Sequence, residues 1–168
     1  MPDPDLILHL AYGSNMSPSQ LVGRIGPLPS LTPSLTPNPN ANPTRVRLAN
    51  YRLAFNKQSQ SSPENGFANI MPEAGAEVWG VMFAITAEQL SKLDRYEGVS
   101  SGHYHHETVV VLDDEDNQHS VIAYVANDDR VVEGLIPTQT YLQTVLEGAK
   151  QGGLPESYLN QILLIANR

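Results

Sequence analysis

Strand-like runs and helix starts follow one another along this chain without regular alternation, and that irregularity restricts the fold more than any other feature. A parallel α/β sheet needs repeated strand-helix-strand units, which are missing here. The runs that read as strands are Leu6 to Ala11, Val46 to Phe55, Phe67 to Pro72, Glu77 to Ile85, Tyr104 to Leu112 and Ser120 to Ala126. In the second, apolar positions Val46 and Leu48 give way to Leu53 and Phe55, a break in parity that predicts a bulge. Glu73-Ala74-Gly75-Ala76 is expected to turn Phe67–Pro72 back onto Glu77–Ile85 as a hairpin, and Lys57 to Gly66 reads as polar loop. The expectation is an α+β fold, a mainly antiparallel sheet or small mixed barrel with peripheral helices, formed as one domain over 1–168.

Helix starts are marked by their caps. Ser17 precedes Pro18 and has Gln20 three residues on, Thr86 has Gln89, and Pro137-Thr138 and Pro155 open two late helices. Gly23 and then Gly26-Pro27 are expected to cut the first helix short, Gly98 to end the second, and Gly152-Gly153 to end the third. Between about 27 and 44 a proline-rich stretch with a Ser-Leu-Thr-Pro repeat cannot supply ladder hydrogen bonds and reads as a surface insertion.

The chain has 168 residues, enough to bury roughly two thirds of the surface its unfolded form exposes. Its net charge of −8, with ten scattered Lys and Arg, opposes polyanions, so nucleic acid is not an expected partner. Apolar runs are too short for a bilayer crossing, and the acidic start Met1-Pro2-Asp3-Pro4-Asp5 lacks the pattern of a signal peptide, giving a cytoplasmic expectation. The absence of cysteine removes thiolate nucleophiles and Cys-based zinc sites.

Candidate chemistry gathers at a few places. Tyr12-Gly13-Ser14-Asn15 lies between the first strand and the first helix, where a tight turn, small polar side chains and free N–H groups favour an anion, although the same residues also suit a plain turn. Ser14 is not in a Gly-x-Ser-x-Gly elbow and no Asp/His pair is marked out for it. On a strand His103 and His105 share a face while His106 points away, so at most two converge, with His9 as a distant third, and no metal is expected. The acidic run Asp113 to Asn117 lacks the Gly and distal Glu of an EF-hand and reads as a solvated hairpin turn. Glu97 falls at the C-terminal end of the second helix, where the helix dipole disfavours a carboxylate; burial there would raise its pKa further and suit a general base.

Taken in order, Ala11-Tyr12-Gly13-Ser14-Asn15, Glu77-Val78-Trp79-Gly80-Val81, Leu93-Asp94-Arg95-Tyr96-Glu97-Gly98-Val99 with Ser101-Gly102-His103-Tyr104, and Ala149-Lys150-Gln151-Gly152-Gly153-Leu154-Pro155 with Tyr158 resemble the gamma-glutamylcyclotransferase family over most of the chain. The resemblance implies a small β-barrel with helices around it. It also implies an enzyme that cyclises a gamma-glutamyl group to 5-oxoproline and releases the attached amino acid, a step of glutathione metabolism. Carried over by residue, His9, Leu10, Ala11, Tyr12, Gly13, Ser14 and Asn15 form the substrate-binding loop, Glu97 is the acid/base, and Tyr104, Tyr124 and Tyr141 are wall residues. The nucleophile is the substrate's own amine, so no cofactor is implied. The implied partner is a small gamma-glutamyl molecule, and a homodimer stays open.

Departures from the family pattern are His9 at the loop entry, His105-His106 after the Gly-x-Tyr element, and the long proline-rich stretch. Asn15 differs from the leucine that the glutathione-specific and gamma-glutamylamine branches tend to carry there. Related acyl-transfer chemistry on another gamma-glutamyl amine conjugate, or a non-catalytic binding module, are the competing readings.

Overall fold

The computed structural model describes residues 6–29 and 43–167, so most of the proline-rich stretch lies outside the described residues. Ile7–Ala11 (β1), Thr44–Gln58 (β2), Gly66–Ile85 (β3), Tyr104–Leu112 (β4) and Gln118–Ala126 (β5) close into a barrel in the order β1-β3-β2-β4-β5. The pairs are antiparallel except β1 with β5, which run parallel at His9 and Ile122 and complete the ring. Closure removes the exposed edges that an open sheet of this size would carry. Four helices lie among the described residues: Pro18–Ile25 (α1), Ala87–Tyr96 (α2), Gln139–Gln151 (α3) and Glu156–Ala166 (α4). None is long and apolar enough to cross a membrane.

The core runs through the barrel and out beneath the helices, with Leu10, Val46, Ile70, Val78, Phe83, Ile85 and Val111 at 2% exposure or less. Each such side chain contributes about 1.5–3 kcal/mol through burial. Gly80 is required by this packing, because a Cβ there would stand 2.5 Å from the Ala11 carbonyl oxygen.

The expected hairpin does not form. Phe67–Pro72 and Glu77–Ile85 do not pair with each other; both pair with β2 and belong to the single strand β3. Ala49 faces Glu77 while Tyr51 faces Pro72, so residues 73–76 oppose Asn50 alone. Left-handed backbone at Asn50 (φ 66) and Gly75 (φ 84), with the Gly75 N–H donating to Asn50 Oδ1 at 3.0 Å, absorbs the surplus as a bulge. Turn-forming residues therefore keep the chain on the same neighbour instead of reversing it. The reversal falls at 59–65, between β2 and β3, which places Lys57 and Gly66 in strands and not in the expected loop. The bulge expected in β2 is present, with register shifts at Ala49/Tyr51 and Ala54/Lys57.

The caps form where expected. Ser17 Oγ accepts the Gln20 N–H at α1, and Thr86 with Gln89 closes both halves of a capping box at α2. Gly23 does not interrupt α1, which ends as expected at Gly26, where φ is 90. Thr138 caps α3, and Pro155 stands just before α4. The acidic run does join β4 to β5, but Asp113 itself is buried, not solvated. Burial works to raise its pKa, yet His119 and the backbone N–H groups of Asn117 and Glu115 hold it down to about 2.

Candidate active site

β1 ends at Ala11, and the chain turns through Tyr12 and Gly13 into a 3-10 turn at Ser14–Met16 that leads directly to α1. Helix α3 lies close against that turn: a Cβ on Gly148 would come within 2.5 Å of the Ser17 nitrogen. The same helix carries Tyr141, whose hydroxyl accepts the Ala68 N–H at 3.1 Å and interacts with the Ser14 backbone. Gly13 has no space for a side chain, since its Cβ would meet Ala68 Cβ at 2.9 Å and the Tyr141 hydroxyl at 3.1 Å.

A cavity of about 700 Å³ opens at this end of the barrel. His9, Leu10, Ala11, Tyr12, Gly13, Ser14, Asn15, Glu97, Tyr104, Tyr124 and Tyr141 all line it. Every site residue anticipated from the sequence thus meets in one place, although they come from β1 and the turn after it, the residue following α2, β4, β5 and α3.

Glu97 follows α2 directly, its N–H still bonded to the Leu93 carbonyl. Its carboxylate turns toward the loop, where Asn15 Nδ2 donates to Oε1 at 2.9 Å, and Asn15 Oδ1 in turn accepts from Arg24 at 3.0 Å. Burial raises the Glu97 pKa; the Arg24 guanidinium, the Asn15 amide and Lys57 pull it back, and the net direction is upward. The carboxyl group therefore sits closer to neutrality than an exposed glutamate.

The tyrosines are anchored by their hydroxyls. Tyr12 donates to the Tyr124 carbonyl at 2.5 Å, Tyr104 to the Ala68 carbonyl at 2.9 Å, and Tyr124 to Asp94 at 2.5 Å. Burial pushes the pKa values of all three up, and Tyr141 to about 12, so they are neutral, rigid walls. His9 packs edge-on against Tyr124 with 5.5 Å between ring centroids, and its Nδ1 lies 3.3 Å from the Ile122 carbonyl. Burial lowers its pKa to about 4, which leaves the ring neutral and Nε2 buried with no hydrogen-bond partner among the described residues.

The histidine arrangement differs from the expectation. His103 precedes β4 and does not share a strand face with His105; it lines the cavity, with Nδ1 2.8 Å from Lys57 Nζ. His105 bonds to Asn127 and Glu107, and His106 to Asp94. Gln20, Arg24, Lys57 and Phe67 also line the cavity without having been anticipated, and His103, considered above only as a metal ligand, joins them. Gln20 and Arg24 are four apart on α1, one face of one helix just after the loop, a spacing that pointed to them. Lys57 carried no such signal, because the extension of β2 that buries it was not legible.

Similarity to known proteins agrees with this geometry. The AIG2-like family model matches residues 77–162. The gamma-glutamylcyclotransferase of Homo sapiens is 32% identical over 167 residues, covering 98% of this chain and 81% of its own. That of Bos taurus is 32% identical over 168 residues, covering 95% and 79%. A solved gamma-glutamyl cyclotransferase structure superposes with a TM-score of 0.76 at 29% identity, over 94% of this chain and 86% of that one. YkqA from Bacillus subtilis shares the fold, with a TM-score of 0.78 at 21% identity over 97% of this chain and 55% of its own. The chain belongs to the gamma-glutamylcyclotransferase family of enzymes.

Proposed function

We propose that the protein cyclises gamma-glutamyl amino acids or dipeptides to 5-oxoproline and a free amino acid or peptide, with Glu97 as the single acid/base. The observation that carries this reading is the Asn15–Glu97 hydrogen bond, which holds the carboxylate toward the loop within one cavity. A buried carboxylate with a raised pKa in such a cavity favours an acid/base role over simple binding.

Glu97 takes a proton from the substrate α-ammonium, and the freed nitrogen attacks the γ-carbonyl carbon, forming the lactam C–N bond. The carbonyl oxygen carries the developing charge, for which the backbone of Tyr12 to Asn15 supplies N–H donors. The tetrahedral intermediate collapses with cleavage of the original amide C–N bond as the proton held by Glu97 passes to the departing nitrogen; Glu97 then takes the second proton from the ring nitrogen, leaving a neutral lactam, and returns it to the released amine, which departs as an ammonium. No proton is consumed overall, so one carboxyl group suffices. The neutral tyrosine walls restrict the substrate to folded conformers in which amine and carbonyl already meet.

Incubation with gamma-glutamyl-alanine and quantification of 5-oxoproline tests the reading. Product formation that falls at least ~100-fold in Glu97→Gln is expected from the general size of acid/base contributions. Absence of product, or undiminished turnover in Glu97→Gln, would sink it.

A further inference from the structure

We propose that Lys57 and His103 form a carboxylate subsite within the cavity that holds the α-carboxylate of the departing amino acid. This subsite deepens the cyclotransferase reading and rests on it.

Lys57 is only 4% exposed, yet no carboxylate lies within ion-pair distance of its ammonium among the described residues. Its one hydrogen-bond partner there is His103 Nδ1, and the rings of Phe67 and Tyr104 flank the ammonium with centroids 5.6 Å away. Buried cations without a counter-ion are costly, and among the described residues this ammonium has a neutral partner and two ring faces but no carboxylate in ion-pair contact. Burial and Arg130 lower its pKa, while Glu97 acts in the opposite direction.

His103 reinforces the site. As Lys57 is the donor, His103 Nδ1 is the acceptor and the ring proton sits on Nε2. Burial, Lys57 and Arg130 together lower the pKa of His103 and keep it neutral. The pair thus offers the remaining ammonium protons and an Nε2–H to an anion, with no competing acceptor among the described residues.

Charge complementarity selects the ligand. The cavity contains two cations without ion-pair partners among the described residues, Arg24 and Lys57, beside the one carboxylate of Glu97. A gamma-glutamyl amino acid carries the inverse set, two carboxylates and one ammonium. Arg24 is bonded to Asn15 on the loop that faces the reacting end, which leaves Lys57 for the carboxylate of the departing residue. A gamma-glutamyl amine lacks that group and would leave the buried ammonium unpaired, so the subsite discriminates against it.

The test measures binding in a Glu97→Gln background, where turnover does not interfere. Calorimetry with gamma-glutamyl-alanine and with gamma-glutamyl-ethylamide, which differ only by the carboxylate in question, is expected to give at least about tenfold tighter binding of the former, the size of one charge-assisted hydrogen bond. Adding Lys57→Gln removes that preference and Lys57→Arg retains most of it. If Lys57→Gln fails to fold, His103→Leu in the same background gives the deciding measurement, because the ammonium then loses its anchor and the preference shrinks. Equal binding of the two probes, no binding of either, or a preference that survives these substitutions overturns the subsite. Formation of 5-oxoproline by the unsubstituted protein is scored separately and decides the cyclisation alone.

Discussion

Replacing His9 changes how stability depends on pH, by an amount the burial of the ring fixes. The imidazole is 1% exposed, and burial lowers its pKa from 6.5 to about 4 against a partial gain from the Ile122 carbonyl. His106 and Asp94 act on it in opposite senses, lowering and raising it respectively. With the folded pKa below the unfolded one, the unfolded chain takes up the proton first as pH falls. Stability is therefore intact above 6.5 and is lost progressively down to the folded value. At about pH 5 the unfolded state gains a protonation factor of roughly 30 over the folded state, a loss of about 2 kcal/mol relative to pH 7.5. Urea denaturation at the two pH values, followed through the fluorescence of the single tryptophan Trp79, measures it. The unsubstituted protein should lose about 2 kcal/mol more than His9→Phe between these conditions, since shifts at Asp113 and Glu97 are common to both and cancel. Should His9→Phe not fold, His9→Gln gives the same subtraction. Equal pH dependence in protein and variant refutes the buried neutral imidazole.

Other outcomes follow from the cavity and its supports. The acid limb of the kcat/KM profile should lie above the range of an ordinary glutamate, because the carboxylate is the active form and its pKa is raised; Arg24→Met should move the limb to still higher pH by removing the largest opposing charge. Ser14→Ala should weaken substrate binding and slow turnover while leaving some activity, and a loss as complete as that of Glu97→Gln would restore Ser14 as a nucleophile. Asn69, fully buried, donates to Asn56 Oδ1 and accepts the Ala126 N–H. Asn69→Leu leaves that N–H unpaired and should destabilise the fold by about 1–3 kcal/mol in thermal or urea unfolding.

Local signals were legible because they act over a few residues. The caps at Ser17, Thr86 and Thr138, the bulge in β2 and the placement of Glu97 at the end of α2 are all present. The misreading at 73–76 has the same origin seen from the other side: Gly75 supplies a left-handed residue, but whether that produces a reversal or a bulge depends on the strand alongside. Asn50, left-handed and 25 residues away in the chain, settles it through its bond to Gly75.

The site divides along the same line. The sequence by itself marked the turn after the first strand and the helix-end carboxylate, since residue type and order along the chain carry those, while Tyr104, Tyr124 and Tyr141 entered through the resemblance to the family. Only tertiary structure decided that Arg24 holds Asn15, that Asn15 holds Glu97, and that Lys57 is buried beside His103. Those contacts join β2, α1, α2 and the segment before β4, and they exist only once the barrel has closed. The charges that tune Glu97 are thus distant in sequence and adjacent in space, because Coulomb interactions depend on separation and burial and not on position along the chain.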